Sequence, residues 1–142
     1  MRRMMLASHG SLAEGMKSAA VMILGESCEM LAFGLDTFIT PESICQEIKK
    51  VMEQSVEDEY LILCDLKGGS VHNCLMELCA LPNVCIVTGM NLSVVLELSV
   101  SPPTVDLNEE IKEILEISRD NIQCFNKKTV ENFKEEEEDS LW

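Results

Sequence analysis

Residues Tyr60–Cys64 read Tyr-Leu-Ile-Leu-Cys, five apolar positions with no polar residue among them. A strand with one face in water alternates polar and apolar side chains, so an unbroken apolar run has to be covered on both faces. The run predicts a central strand in a sheet sandwiched between helices. Val84–Thr88 (VCIVT) predicts a second buried strand of the same kind, and Arg2–Ala7 and Cys28–Leu35 predict two more.

Helical spacing fills the intervals. Leu12–Leu24 carries Leu12, Met16, Ala19, Ala20 and Ile23 as an apolar stripe, with Ser11 as its N-cap and Gly25 as its stop. Thr40-Pro41 is a cap followed by proline at the first helical position, and Ile44, Ile48, Val51 and Met52 line the helix that follows. Further helices are expected from Val71 to Leu81, stopped by Pro82-Asn83, from Leu92 to Ser99, and from Asp106 to Asp120 after a break at Pro102-Pro103. Ile122–Phe125 reads as one short final strand, and Glu135–Trp142 as a frayed end. Strands alternating with helices imply an α/β fold, a doubly wound and mostly parallel sheet flanked by helices and joined by right-handed crossovers; the strand order expected for it is 2-1-3-4.

A chain of 142 residues is one domain by size, expected here over 1–129 with an acidic tail over 130–142. Its net charge is −14, of which five negative charges lie in Glu135–Asp139, leaving −9 for the rest. That balance argues against nucleic acid as a partner. No apolar run approaches 18 residues, and the start MRRMMLASHGS is too short in apolar residues for a signal peptide, so a cytoplasmic protein is expected. The seven cysteines (Cys28, Cys45, Cys64, Cys74, Cys79, Cys85, Cys124) are odd in number and lack C-x-x-C spacing. They read as reduced, mostly buried thiols, without a zinc site.

Three strand ends carry small and polar residues: Ser8-His9-Gly10-Ser11, Asp65-Leu66-Lys67-Gly68-Gly69-Ser70 and Thr88-Gly89-Met90-Asn91. In a parallel sheet these ends share one edge, and ligands bind there where the strand order reverses. In the order 2-1-3-4 that point lies between strands one and three, so His9 and Asp65 should meet although 56 positions separate them. A carboxylate on one ring nitrogen fixes the tautomer and leaves the other nitrogen free to attack. The backbone amides of Gly10, Ser11, Gly68, Gly69 and Ser70 are then candidates to hold phosphate oxygens, with the Ser11 and Ser70 hydroxyls as further donors. Asn91 stands at the edge of this site. His72, one turn into the following helix, reads as a partly exposed helix position with at most a contact role.

Other chemistries fail on spacing. Gly10–Ser18 nearly spells a Walker A loop, but Lys17 is one residue late and Met16 occupies the lysine position. Neither G-x-G-x-x-G nor G-x-S-x-G occurs, which removes a dinucleotide site and a nucleophile elbow.

Together the three segments resemble the enzyme IIA component of the mannose family of the bacterial sugar phosphotransferase system. That family reads T/S-H-G, then D-L/T-x-G-G-S-P-x-N, then G-V-N-x-P-x-L-x-E. Here the same places hold Ser8-His9-Gly10, Asp65–Asn73 and Gly89–Glu97, within a match from Met4 to about Phe125. The resemblance implies that His9 takes a phosphoryl group on Nε2 from the phosphocarrier HPr and passes it to a IIB component. Asp65 would bind the other ring nitrogen, with no cofactor and no metal. It further implies a homodimer in which the last strand, Ile122–Phe125, is exchanged as an antiparallel edge strand. The membrane IIC/IID permease would be served indirectly.

Val71 and Ser93 replace two prolines of the pattern, and Lys67 stands where an aromatic residue is common; these changes touch the partner surface and leave the His9–Asp65 pair intact. No IIB domain accompanies the chain, so a separate acceptor chain is expected. A second class is a regulatory module whose partner binding is set by phosphorylation of His9, although no DNA-binding or ATPase segment is present. The phosphotransfer subunit of dihydroxyacetone kinases also begins strand-Ser-His, but D-x-x-G-G-S favours the sugar system. A flavodoxin-like binding module without phosphohistidine is the remaining alternative.

Overall fold

The computed structural model describes residues 1–102 and 106–140. Its sheet has four parallel strands: β1 (Arg2–Ser8), β2 (Met30–Gly34), β3 (Glu59–Cys64) and β4 (Val84–Val87). Their order is β2-β1-β3-β4, the order expected from the sequence. In register, Ala7 of β1 lies beside both Phe33 of β2 and Cys64 of β3. The carboxyl ends of the two central strands therefore finish level, with His9 and Asp65 just beyond them.

Successive residues of a strand face opposite sides, and the two cores divide accordingly. Met4, Leu6, Leu61 and Leu63 pack with α1 (Leu12–Leu24), α5 (Leu92–Val100) and α6 (Leu107–Asp120). Met5, Ala7, Tyr60, Ile62 and Cys64 pack with α3 (Pro41–Glu53), α4 (Ser70–Leu75) and a 3₁₀ turn at Met76–Ala80. Tyr60 to Cys64 are all fully buried, as the unbroken apolar run demands. Thr40 caps α3, its Oγ1 accepting from the Ser43 amide at 3.1 Å, and Gly25 ends α1 at φ 89°.

Several expectations are corrected. α1 buries Ala13 and Ala20, while Leu12 and Ile23 stand 47% and 58% exposed. Nine of the thirteen residues of α1 are apolar, more than one stripe needs, so periodicity leaves its phase loosely set, and small alanines let it approach the sheet closely. Ser11 makes no capping hydrogen bond; the cap is Ser8, whose Oγ accepts from the Ala13 amide at 2.7 Å. The helix expected over Val71–Leu81 divides into α4 and the 3₁₀ turn, and a short α2 (Leu35–Phe38) follows β2 directly. β4 is the edge strand, so Val84, Cys85 and Ile86 are only half-buried. Among the cysteines only Cys45 and Cys64 are buried, and Cys79 and Cys124 are exposed.

Residues 122–125 form no strand: the sheet within the chain ends at β4, and a strand exists only through the ladder it joins. Ile122 and Phe125 are exposed there. The tail is not irregular but an exposed helix, α7 (Lys127–Ser140). Its start is fixed by Asn126 and Thr129, each side chain accepting from the other's amide at 3.0 and 2.8 Å. Pro103, Leu141 and Trp142 lie outside the described residues. Among the described residues, no helix is long and apolar enough to cross a membrane.

Candidate functional site

β1 ends at Ser8, and Gly10 takes a left-handed φ of 48° that turns the chain into α1. The turn is buttressed from β2. A side-chain carbon on Gly34 would lie 2.4 Å from the Gly10 carbonyl oxygen, so only glycine fits there. His9 is left at the carboxyl edge with its side chain 46% exposed.

Asp65, at the end of β3, is 11% exposed and reaches across to His9. Its Oδ2 accepts from the His9 amide at 2.8 Å and pairs with the His9 ring Nδ1 at 2.9 Å. Its Oδ1 accepts from the Leu66 amide at 2.8 Å. Burial pushes the Asp65 carboxyl up, but the hydrogen bonds from the His9 amide and ring outweigh it and hold the group below the usual carboxylate range. An ionised carboxylate only accepts, so Nδ1 carries the ring proton and Nε2 keeps its lone pair. Ser70 Oγ lies 3.3 Å from that Nε2 and donates to it. The neighbouring thiol of Cys64 is no rival nucleophile: burial, then the charge of Asp65, push it up to about 12, so it stays protonated at neutral pH.

The loop Asp65–Ser70 is shaped by its glycines. Gly68 sits at φ 75°, and a side-chain carbon on Gly69 would lie 3.3 Å from His9 Cε1 and 3.2 Å from the Leu66 carbonyl oxygen. The amides of both glycines are already engaged: Gly69 donates to Leu66 O at 3.1 Å, and Gly68 to His72 Nδ1 at 3.0 Å. Ser70 opens α4, where first-turn amides have no partner within the helix. At α1 the Leu12 amide turns back to His9 O at 3.4 Å.

The structure thus brings His9, Gly10, Asp65, Gly69 and Ser70 together. Ser11 follows Gly10 in the same turn. Asn91 serves its own loop, accepting from the Val94 amide at 3.1 Å as the cap of α5 and donating to Gly89 O at 3.2 Å. Among the described residues, no hydrogen bond joins it to His9 or Asp65. Three contributors escaped sequence reasoning: Ser8 as the α1 cap, Gly34 as the buttress of Gly10, and His72 as the acceptor for Gly68. Ser8 and His72 were visible only as a strand-end residue and a helix position, and Gly34 only as a residue inside the predicted second strand, Cys28–Leu35.

The model of the EIIA-man family, described as PTS system fructose IIA component, matches residues 3–116. No curated protein sequence matches the chain. Among solved structures, a PTS IIA protein associated with the fucose utilization operon of Streptococcus pneumoniae is 29% identical. It superposes with a TM-score of 0.68 over 90% of this chain and 94% of that one. The mannose/sorbose specific IIA subunit of the Enterococcus faecalis phosphotransferase system is 24% identical, with a TM-score of 0.72 over 88% and 95%. Phosphotransferase system component EIIA of Streptococcus agalactiae, 19% identical, has a TM-score of 0.75 over 88% and 98%. At those lower identities the likeness is one of fold.

Proposed function

Because the chain belongs to the EIIA-man family of sugar phosphotransferase system IIA components, we propose that His9 is its phosphoryl acceptor and that phospho-HPr is the donor. The observation that carries this is the polarity of the His9 ring: Nδ1 is bound to Asp65 Oδ2 at 2.9 Å, and Nε2 faces outward beside Ser70 Oγ. The Nε2 lone pair attacks phosphorus as the N–P bond of the donor's phosphohistidine breaks, and that bond's electron pair returns to the donor imidazole. The His9 ring gains positive charge, which the Asp65 carboxylate stabilises without taking the proton. Ser70 Oγ turns its hydrogen from Nε2 to a phosphoryl oxygen, and the amides of Gly10 and Ser11 take the others. Gly68 and Gly69 shape the loop rather than bind. The reverse sequence delivers the group to a IIB component, which serves a IIC/IID permease at the membrane.

In this reading the protein is cytoplasmic and works as a homodimer, with Ile122–Phe125 laid antiparallel along the partner's β4 edge. The test is incubation with phosphoenolpyruvate, enzyme I and HPr. An acid-labile phosphohistidine is expected, absent from His9→Ala and kept by His72→Ala. Label that survives His9→Ala overturns the assignment.

A further inference from the structure

His72 is the third residue of α4 and one of two histidines in the chain. Its Nδ1 lies 3.0 Å from the Gly68 amide nitrogen. A backbone N–H can only donate, so the His72 ring must offer a lone pair at Nδ1 and carry its proton on Nε2. The two histidines therefore hold opposite tautomers, since His9 donates from Nδ1 to Asp65. The next residue, Asn73, donates its Nδ2–H to the Gly68 carbonyl oxygen at 3.1 Å. Two consecutive side chains of α4 thus grip the Gly68 peptide groups from both sides, at a residue whose φ of 75° no helix or strand would hold.

Gly69 and Ser70 give the grip its purpose. Gly69 packs so close to the His9 ring that a methyl group there would lie 3.3 Å from Cε1. Ser70 places its hydroxyl 3.3 Å from Nε2. Rotation of the Gly68 peptide would move both. We propose that His72 is a positioning residue for phosphoryl transfer, acting through Gly68 to hold Gly69 and Ser70 against the His9 ring. This rests on His9 being the phosphoryl acceptor.

The ring state is read first, by ¹⁵N NMR of the full chain. His72 gives the Nε2–H tautomer, with a through-hydrogen-bond coupling between its Nδ1 and the Gly68 nitrogen. A His72 Nδ1–H tautomer overturns the proposal. Labelling of His9 by phospho-HPr is then followed in His72→Leu and His72→Asn. Asparagine Oδ1 sits close to where Nδ1 sits and can accept the same hydrogen bond. His72→Leu is expected to lower kcat between about 2- and 10-fold, the worth of one hydrogen bond, with KM unchanged, and His72→Asn to restore it. A His72→Leu rate equal to wild type, or a His72→Asn rate as low as that of His72→Leu, overturns it. Wild-type protein that takes no label, or label that survives His9→Ala, instead removes the premise about His9.

Discussion

Two aspartates bracket β3, and both reach across to β1, yet they do opposite things. At the amino end Asp58 accepts from the Met1 ammonium at 2.9 Å and from Arg3 Nε at 2.6 Å. Beside it Arg2 holds Glu59 at 3.3 Å and Glu110 of α6 at 2.9 Å. Hydrogen bonds from the amino terminus and then Arg3 hold the Asp58 carboxyl well below the usual carboxylate range. Each of its oxygens faces a cation, so its capacity is used in tying the β1–β3 edge together. At the carboxyl end Asp65 binds an imidazole whose other nitrogen meets only the Ser70 hydroxyl, at 3.3 Å, on a side chain 46% exposed. The same pairing of carboxylate and basic group is structural where it is saturated and, in the function proposed above, reactive where one partner keeps a lone pair held only by a hydroxyl that can turn away.

Replacing each aspartate by asparagine should separate the two roles. With His9 as the proposed acceptor, Asp65→Asn would remove the charge that stabilises the developing imidazolium, and transfer to His9 should slow on the order of 100-fold. Asp58→Asn should leave the labelling rate unchanged and lower the melting temperature. Rates and melts measured on both variants check this; a slow Asp58→Asn enzyme would break the division between the ends.

Gly69→Ala should act on the reactive end alone. The φ of Gly69 is −68°, which alanine adopts freely, so the backbone is not strained. The added methyl would meet Leu66 O at 3.2 Å and His9 Cε1 at 3.3 Å, tighter than ordinary contact. A displaced ring lengthens the Nδ1–Asp65 bond. Labelling is expected to slow by about fivefold while stability changes by roughly 0.5 kcal/mol or less.

Acid should find the same two carboxylates. Both are held below the ordinary value in the folded chain, so each contributes stability above the unfolded carboxylate range that is lost as pH falls through its folded value. The deeper depression belongs to the doubly paired Asp58. Acid unfolding followed by circular dichroism should therefore have a shallower limb in Asp58→Asn than in Asp65→Asn.

The contrast between the ends also decides what could be read from the sequence. The carboxyl end was legible because strands ending in Ser8-His9-Gly10 and Asp65–Ser70 leave few ways to satisfy a doubly wound sheet, and topology alone makes the pair neighbours. The amino-end network was not, since Arg2, Arg3, Asp58 and Glu59 look like ordinary charged flanks until the parallel register sets Arg2 beside Glu59. The burial phase of α1 was hidden because its apolar residues, nine of thirteen, outnumber those a single buried stripe needs. The helical tail was hidden by a charge run whose cap, Asn126 with Thr129, lies before it. Ser8 and His72 act through hydrogen bonds to backbone amides, which no spacing rule exposes.

The smallest effect probes strain at the reactive end. Ile39 closes α2, which follows β2 on the His9 side of the sheet, where the Asp36 amide meets Gly10 O at 3.5 Å. Its φ is 64°, in the left-handed region that β-branched residues avoid, and its side chain is 81% exposed. No burial offsets that conformation. Glycine would remove a penalty of about 1–2 kcal/mol, against a loss of up to about 1 kcal/mol from its freer unfolded state. Ile39→Gly should therefore stabilise the fold by about 1 kcal/mol, a rise of roughly 3 °C in melting temperature. The amino end offers no comparable gain, because among the described residues Ile39 is the one non-glycine at positive φ. A melting temperature that stays the same or falls would mean that the edge around His9 is as relaxed as the paired end, and that the two ends differ in chemistry but not in strain.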